Sequence, residues 1–288
     1  MTKETSFKSE GNTRFYNRTT LKIIDEVLRA TPKKVKDDDG NVVATLTHTK
    51  PTLTHARKEG YLPSVTSIIK SIIASQALMT WTEEDAIKIC AKYPYAGDES
   101  KADIEERYMP MIKAKRAESS TASQDKGKLL HKDKELFFMK GTEPESMEGK
   151  NIVLEYQAFM REHGAQADRI TCEKAFGSSQ IGYAGTPDDF MEDVNFIVDL
   201  KTTKQKNFER IKTSKHLYLS WKLQLGAYRI IAPDARLWQA VASQETGETK
   251  FIELNSPDLW ASAFQGVFTT WCAEKEYDPR NWVGKETA

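Results

Sequence analysis

The stretch GTPDDFMEDVNFIVDLKTT, Gly185 to Thr203, holds two strand-like runs around one turn. Paired as an antiparallel hairpin with Asp193 and Val194 at the tip, positions whose numbers sum to 387 face each other, which sets Asp188 opposite Asp199. Residues so opposed stand about 4.5–5.5 Å apart at Cβ, and two like charges there destabilise a sheet unless they share a cation. Asp199 and Lys201 are two apart and leave the same face, whereas Asp189 points to the other. An acid pair and an amine therefore converge. Ile197, Val198 and Leu200 make the second run apolar, so partial burial of Asp199 and Lys201 is expected, and a buried acid beside a lysine calls for a reason. The plainer reading of a short D…DxK match is a solvated hairpin tip with a salt bridge. Read as a site, the cluster suits phosphodiester hydrolysis: carboxylates hold Mg²⁺ or Mn²⁺, the metal lowers the pKa of a bound water, and the ammonium orients it.

Upstream, RITCEKAF and GYAGTPDDFM read as strands, and a helix is expected near Asn151 to His163. Downstream, LYLSWKLQLGAYRIIA has helical spacing and stops at Pro233. It is followed by strands ARLWQAVAS and KFIEL about an ETGE turn, then an amphipathic helix from about Pro257 to Glu274. Nearer the start, Ser64 opens a largely apolar helix in PSVTSIIKSIIASQALMTW, and Asp38-Asp39-Gly40 is a turn feeding a strand. From about Glu83 to Lys140 the composition predicts two or three helices, interrupted at Ser119–Ser123 and ended by a glycine cap at Gly141. The fold class is α/β (α+β): one mixed β-sheet flanked by helices, with a helical N-terminal elaboration. Residues 1–60 form an irregular segment with short strands, and 61–288 the main domain, including an arch-like helical region at about 83–140.

Between Lys201 and Lys222 stand seven basic residues, Lys204, Lys206, Arg210, Lys212 and Lys215 among them, against one acid, Glu209. With Phe208, Tyr218 and Trp221 interleaved, this stretch can track a phosphate backbone and stack bases, or be a solvated helix face. A second basic excess runs from Lys113 through Lys126, Lys128 and Lys132 to Lys134. The chain as a whole is neutral, with 42 Lys+Arg and 42 Asp+Glu in 288 residues, so any nucleic-acid site is local. Three scattered cysteines, Cys90, Cys172 and Cys272, exclude a four-cysteine iron–sulfur cluster. No run is long and apolar enough for a membrane span. The opening MTKETSFKSEGNTRFYNRTT lacks an apolar core and carries Glu4 and Glu10, so the cytoplasm of a bacterium or phage-infected cell is expected rather than secretion or mitochondrial import.

Gly185 to Asp188, Val198 to Thr203 and QLGAY at Gln224 to Tyr228, preceded by GKLLH at Gly127 to His131, resemble the PD-(D/E)xK nuclease superfamily, in its RecB-like exonuclease branch. LPSVTSIIK with Trp81 is also similar to phage exonucleases and mitochondrial genome maintenance exonucleases. The resemblance covers about residues 61 to 231 and implies a restriction-endonuclease-like core. It implies that Asp188, Asp199, His131 and the Leu200 backbone carbonyl hold the divalent ions, with Lys201 as catalytic lysine. It also implies that Gln224 and Tyr228 face the site and position the substrate strand. Glu135, one turn beyond His131, and Glu173, on the preceding strand, are candidate supporting acids. The implied substrate is DNA, as single- or double-stranded ends, in recombination, repair or replication. A single-strand-binding or recombination protein is an admissible partner, and the oligomeric state stays open. An endonuclease of the same fold and a non-catalytic nucleic-acid-binding module are the alternatives.

Overall fold

The computed structural model describes residues 14–28, 33–36, 42–45, 48–73, 92 and 101–283. Five strands build one mixed sheet: β1 (Ile170–Cys172), β2 (Asp189–Met191), β3 (Phe196–Thr203), β4 (Arg236–Ser243) and β5 (Thr249–Glu253). Their order across the sheet is β5-β4-β3-β2-β1, parallel only between β3 and β4 and antiparallel elsewhere. The β2–β3 hairpin has the register read from the sequence: Asp189 pairs with Val198, Phe190 with Ile197 and Met191 with Phe196. Asp188 lies one residue before the ladder begins.

Seven helices flank the sheet among the described residues: α1 (Leu53–Glu59), α2 (Val65–Ile72), α3 (Lys101–Lys140), α4 (Met147–His163), α5 (Gln205–Ser214), α6 (Leu219–Ile231) and α7 (Pro257–Glu274). Local chemistry sets their ends. The Ser64 and Ser146 hydroxyls accept the Ser67 and Gly149 amides at 3.1 and 3.0 Å, capping α2 and α4. Gly141 and Gly164 take left-handed φ of 68° and 72°, which only glycine adopts freely, and so end α3 and α4. Pro257 opens α7, where its missing N–H costs nothing.

Alternation divides the β3 side chains between two cores. Ile197 packs with α6 and α7 residues Leu225, Phe264 and Phe268, in a core that also buries Phe15, Ala56 and Ile68 from the N-terminal part. Val198 and Leu200 face Leu130 of α3 and Tyr156 and Phe159 of α4. The acids sit on the seam between these layers.

Three expectations are corrected. RITCEKAF is not one strand: Glu173, at φ 52°, breaks it after Cys172, and Phe176–Ser178 pairs instead with Tyr183–Gly185. GYAGTPDDFM is likewise split at Thr186 and Pro187, because proline has no N–H for a ladder. Ser119–Ser123 does not interrupt the helices. α3 runs unbroken for 40 residues, about 60 Å, through that segment and Pro110. The turn at Asp38–Gly40, Trp81, Cys90 and most of the region from Glu83 to Ser100 lie outside the described residues. No helix among the described residues is long and apolar enough to cross a membrane.

Candidate active site

β3 carries the centre of the site. Asp199 is 1% exposed in a run of apolar neighbours, and four donor contacts converge on it. Lys201 Nζ stands 2.5 Å from Oδ2, Gln224 Nε2 of α6 donates to Oδ1 at 2.8 Å, and Gln239 Nε2 of β4 donates to Oδ2 at 3.0 Å and to the Asp199 carbonyl. Gln239 reaches it because the parallel register sets it directly beside Asp199. Asp188, 9% exposed, accepts the Leu200 N–H on Oδ2 at 2.6 Å and meets His131 Nδ1 at 3.0 Å through Oδ1. The Leu200 backbone is thus against the acid through its amide.

α3 delivers His131 because it comes close to the end of β3. A Cβ at Gly127 would stand 2.8 Å from Thr202 Oγ1, closer than real side chains approach, so beside Thr202 any larger residue would force the helix or the threonine to shift. Gln244 clamps the same crossing, donating to the Ser123 carbonyl and to Thr202 Oγ1 at 3.0 and 3.2 Å. An opening of about 280 Å³ remains between helix and strand, lined by Gly127, His131, Lys201, Thr202 and Gln244. It adjoins a hollow lined by Lys128, His131, Lys132 and Glu135.

The electrostatics separate the two acids. Burial alone raises the Asp188 carboxyl, but His131, Lys201 and Lys134 outweigh it and hold Asp188 well below the usual carboxylate range. At Asp199 burial and the Asp188 charge outweigh the pull of Lys201, so its carboxyl sits above its ordinary value. Burial lowers Lys201, yet the two carboxylates more than reverse this and keep the ammonium charged. Glu173 donates its N–H to the Asp188 carbonyl at 3.0 Å. Part of this residue reaches solvent, but enclosure of its carboxyl, then the Asp188 charge, pushes it up to about 7.

The structure therefore brings Asp188, Asp199, Lys201, His131, Gln224 and Tyr228 together, with Glu173 at the rim and Glu135 one turn along α3. Gln224 and Tyr228 face the acids but are spent on them. Both are buried, and the Gln224 amide joins Asp199 to the Tyr228 hydroxyl at 3.0 Å, so in this conformation the pair holds an acid rather than touching a substrate strand. Lys204 and Lys206 are exposed where β3 passes into α5. Phe208 is buried and cannot stack on a base, and Tyr218 is engaged by Arg210 and by the edge of Trp221. Lys134, last of the second basic stretch, is not available to a substrate: it is 2% exposed and lies 2.5 Å from Asp189, on the far side of the sheet from Asp199.

Sequence reasoning passed over Gln239, and placed Lys134 only in a basic stretch. A single glutamine inside the apolar run LWQAVA, at the position registering with Asp199, was the available signal for the first. No local pattern marks the burial of the second.

The donors present, two carboxylates, an imidazole and backbone carbonyls, suit a hard divalent cation. Among the described residues no three His, Cys, Asp or Glu side chains are gathered tightly enough to cage one, and Lys201 supplies positive charge beside the acids.

Two solved structures show a remote similarity to this chain. An alkaline exonuclease from Laribacter hongkongensis is 11% identical with a TM-score of 0.42, over 77% of this chain and 90% of its own. A putative exonuclease from Eubacterium rectale is 14% identical with a TM-score of 0.33, over 73% and 70%. At these values neither speaks to this chain's chemistry, which its own side chains must carry. No family model and no curated protein matches the sequence.

Proposed function

We propose that this chain is a divalent-metal-dependent deoxyribonuclease that hydrolyses phosphodiester bonds from DNA ends, in recombination, repair or replication. The observation that supports it is the convergence of buried Asp188 and Asp199 with Lys201 and His131 beside an opening of about 280 Å³. Two like charges and an amine held at such a seam are costly for the fold and useful for charge-rich chemistry. Asp188, Asp199, His131 and the Leu200 carbonyl would hold Mg²⁺ or Mn²⁺, which when bound supplies Lewis acidity and an activated water. The Lys201 ammonium, kept charged by both acids, orients the attacking water and offsets the charge that grows on the phosphate. Gln224 and Gln239 fix the Asp199 carboxylate so that the lysine does not draw it out of place. Lys204 and Lys206, exposed at the end of β3, meet the backbone of the DNA.

The test compares linear with covalently closed circular DNA, single- and double-stranded, with Mg²⁺ or Mn²⁺ and with Lys201→Ala in parallel. Loss of linear substrates alone, with an inert variant, supports the exonuclease. Cleaved circles reassign the same site to an endonuclease. No metal-dependent loss of any substrate leaves a nucleic-acid-binding module.

A further inference from the structure

A second concave surface lies away from the acids, along the free edge of the sheet. β5 is the terminal strand, and a groove of about 480 Å³ follows it from Lys250 to Asn255, closed on the other side by the α5–α6 connection and Trp260. The backbone along this groove is unspent. The Leu254 N–H bonds inward to the Leu237 carbonyl at 2.8 Å. By antiparallel alternation the residues two and four before it, Ile252 and Lys250, also turn inward. Phe251 and Glu253 therefore present their N–H and C=O groups outward, with no partner among the described residues. Trp238, 9% exposed and lining the same groove, keeps a buried indole N–H without a hydrogen-bond partner.

The charge of the groove is one-sided. Lys215, His216, Lys222 and Lys250 line it, and none of these lysines has a carboxylate within salt-bridge distance among the described residues. Lys222 Nζ lies 5.0 Å above the Trp260 ring. The one acid of the lining, Glu253, is held by both oxygens to Arg236 at 2.8 and 3.0 Å.

We propose that this edge is a docking site for an extended acidic peptide of a partner protein, which adds a strand outside β5. Main-chain bonds to Phe251 and Glu253 would supply affinity, and alternate side chains specificity. One set falls on the face of Lys250, Lys215 and Lys222 and is acidic. The other falls on the face of Phe251 and Trp238 and is apolar. A nucleic-acid strand would satisfy the lysines but leave the row of outward amides and carbonyls unused, so the free edge favours a peptide. The site stands independently of the nuclease reading.

The test pans a displayed library of random 12-residue peptides against the full chain. The expected pool alternates Asp or Glu with apolar residues and lacks internal proline. A synthetic member of it should slow hydrogen exchange at the Phe251 and Glu253 amides. It should bind at least tenfold more weakly to a folded Lys215→Glu/Lys222→Glu/Lys250→Glu variant, and lose binding to the wild-type chain when alternate peptide amides are N-methylated. The methylation arm needs no change to the protein, so a variant that fails to fold does not shield the proposal. An empty or non-acidic pool, binding indifferent to N-methylation, or unprotected Phe251 and Glu253 amides would overturn it. Displacement of the peptide by oligo-dT with the same two amides protected would instead assign the groove to nucleic acid.

Discussion

Lys134 and Asp189 show what a residue next to a candidate ligand is for. Burial lowers the Lys134 ammonium, but Asp189 and then Asp188 more than compensate, so the charge survives in the core, with its Nζ 5.3 Å from the Tyr156 ring. Cys172 Sγ donates to the same Asp189 oxygen at 3.2 Å. This pair anchors the residue that follows Asp188 and fixes the strand end from the far side of the sheet. Removing one partner strands a buried charge, so Lys134→Met is expected to cost about 3–5 kcal/mol in urea unfolding. Lys134→Met combined with Asp189→Leu should recover most of that loss, because the apolar pair leaves no charge behind. A double variant no more stable than Lys134→Met would show that the pair does not act as a unit. Gln239→Leu tests the other side of the seam. It removes two donor contacts from Asp199 and is expected to cost about 1–3 kcal/mol. It should also slow any metal-dependent cleavage without abolishing it, since Lys201 and Gln224 remain, and a variant as inert as Lys201→Ala would mean that Gln239 does more than hold the acid.

The crossing of α3 over the end of β3 is where helix and strand must agree. Alanine is a better helix former than glycine by about 1 kcal/mol, so Gly127→Ala would stabilise an unobstructed helix. Here its Cβ meets the stiff Thr202 side chain, and the variant should instead lose stability and draw His131 away from Asp188. Adding Thr202→Ala should restore both, and additive losses in that double-mutant cycle would place the strain elsewhere. The same crossing shows what the sequence could and could not disclose. The hairpin register, and with it the meeting of Asp188 with the β3 acid, follows from the turn position and strict alternation. The α6 and α7 spans follow from helical periodicity with Pro233 and Pro257 as punctuation. The continuity of α3 through Ser119–Ser123 does not follow, because small polar residues are weak interrupters that a longer helix overrides. Nor do the breaks at Glu173 and Pro187, where short strands change partners, since strand pairing is decided between distant segments. The burial of Gln224 and Tyr228 was hidden for a similar reason: their shared helix face is local, but what fills the space before it is not.

At the scale of the whole molecule, the chain's two described ends are fastened to one another. The Arg18 guanidinium donates to the Pro279 carbonyl at 3.0 Å and lies 4.7 Å from the Trp282 ring, whose Nε1 donates to the Arg57 carbonyl at 3.0 Å. The ring covers Gly60, whose left-handed φ of 71° and missing Cβ leave it room, and the Tyr277 hydroxyl donates to the Tyr61 carbonyl at 2.8 Å. Phe15 and Ala56 enter the same core as α6 and α7, so this clasp holds the segment that carries α1 and α2 against the sheet. Asp278 sets its geometry, accepting from the Arg280 amide and from its guanidinium at 3.0 and 2.8 Å. The side-chain hydrogen bond from Arg280 holds the Asp278 carboxyl below its ordinary value. A depressed acid contributes stability that is present above its unfolded pKa, about 3.9, and disappears as the pH falls through the folded value. The pair is partly exposed and screened, so its share is below about 1 kcal/mol. Asp278→Asn is expected to lower stability slightly at pH 7 and to match the wild-type chain once the pH has fallen below the depressed folded value, so that the two acid unfolding curves converge. Curves that stay parallel from pH 7 to pH 2 would show that the asparagine loses packing rather than charge, and that the clasp does not sense acid. Because the clasp joins α1 and α2 to α7 and does not touch β3, the same variant should leave the Mn²⁺ dependence of cleavage unchanged, which separates the fastening of the chain from the chemistry at its seam.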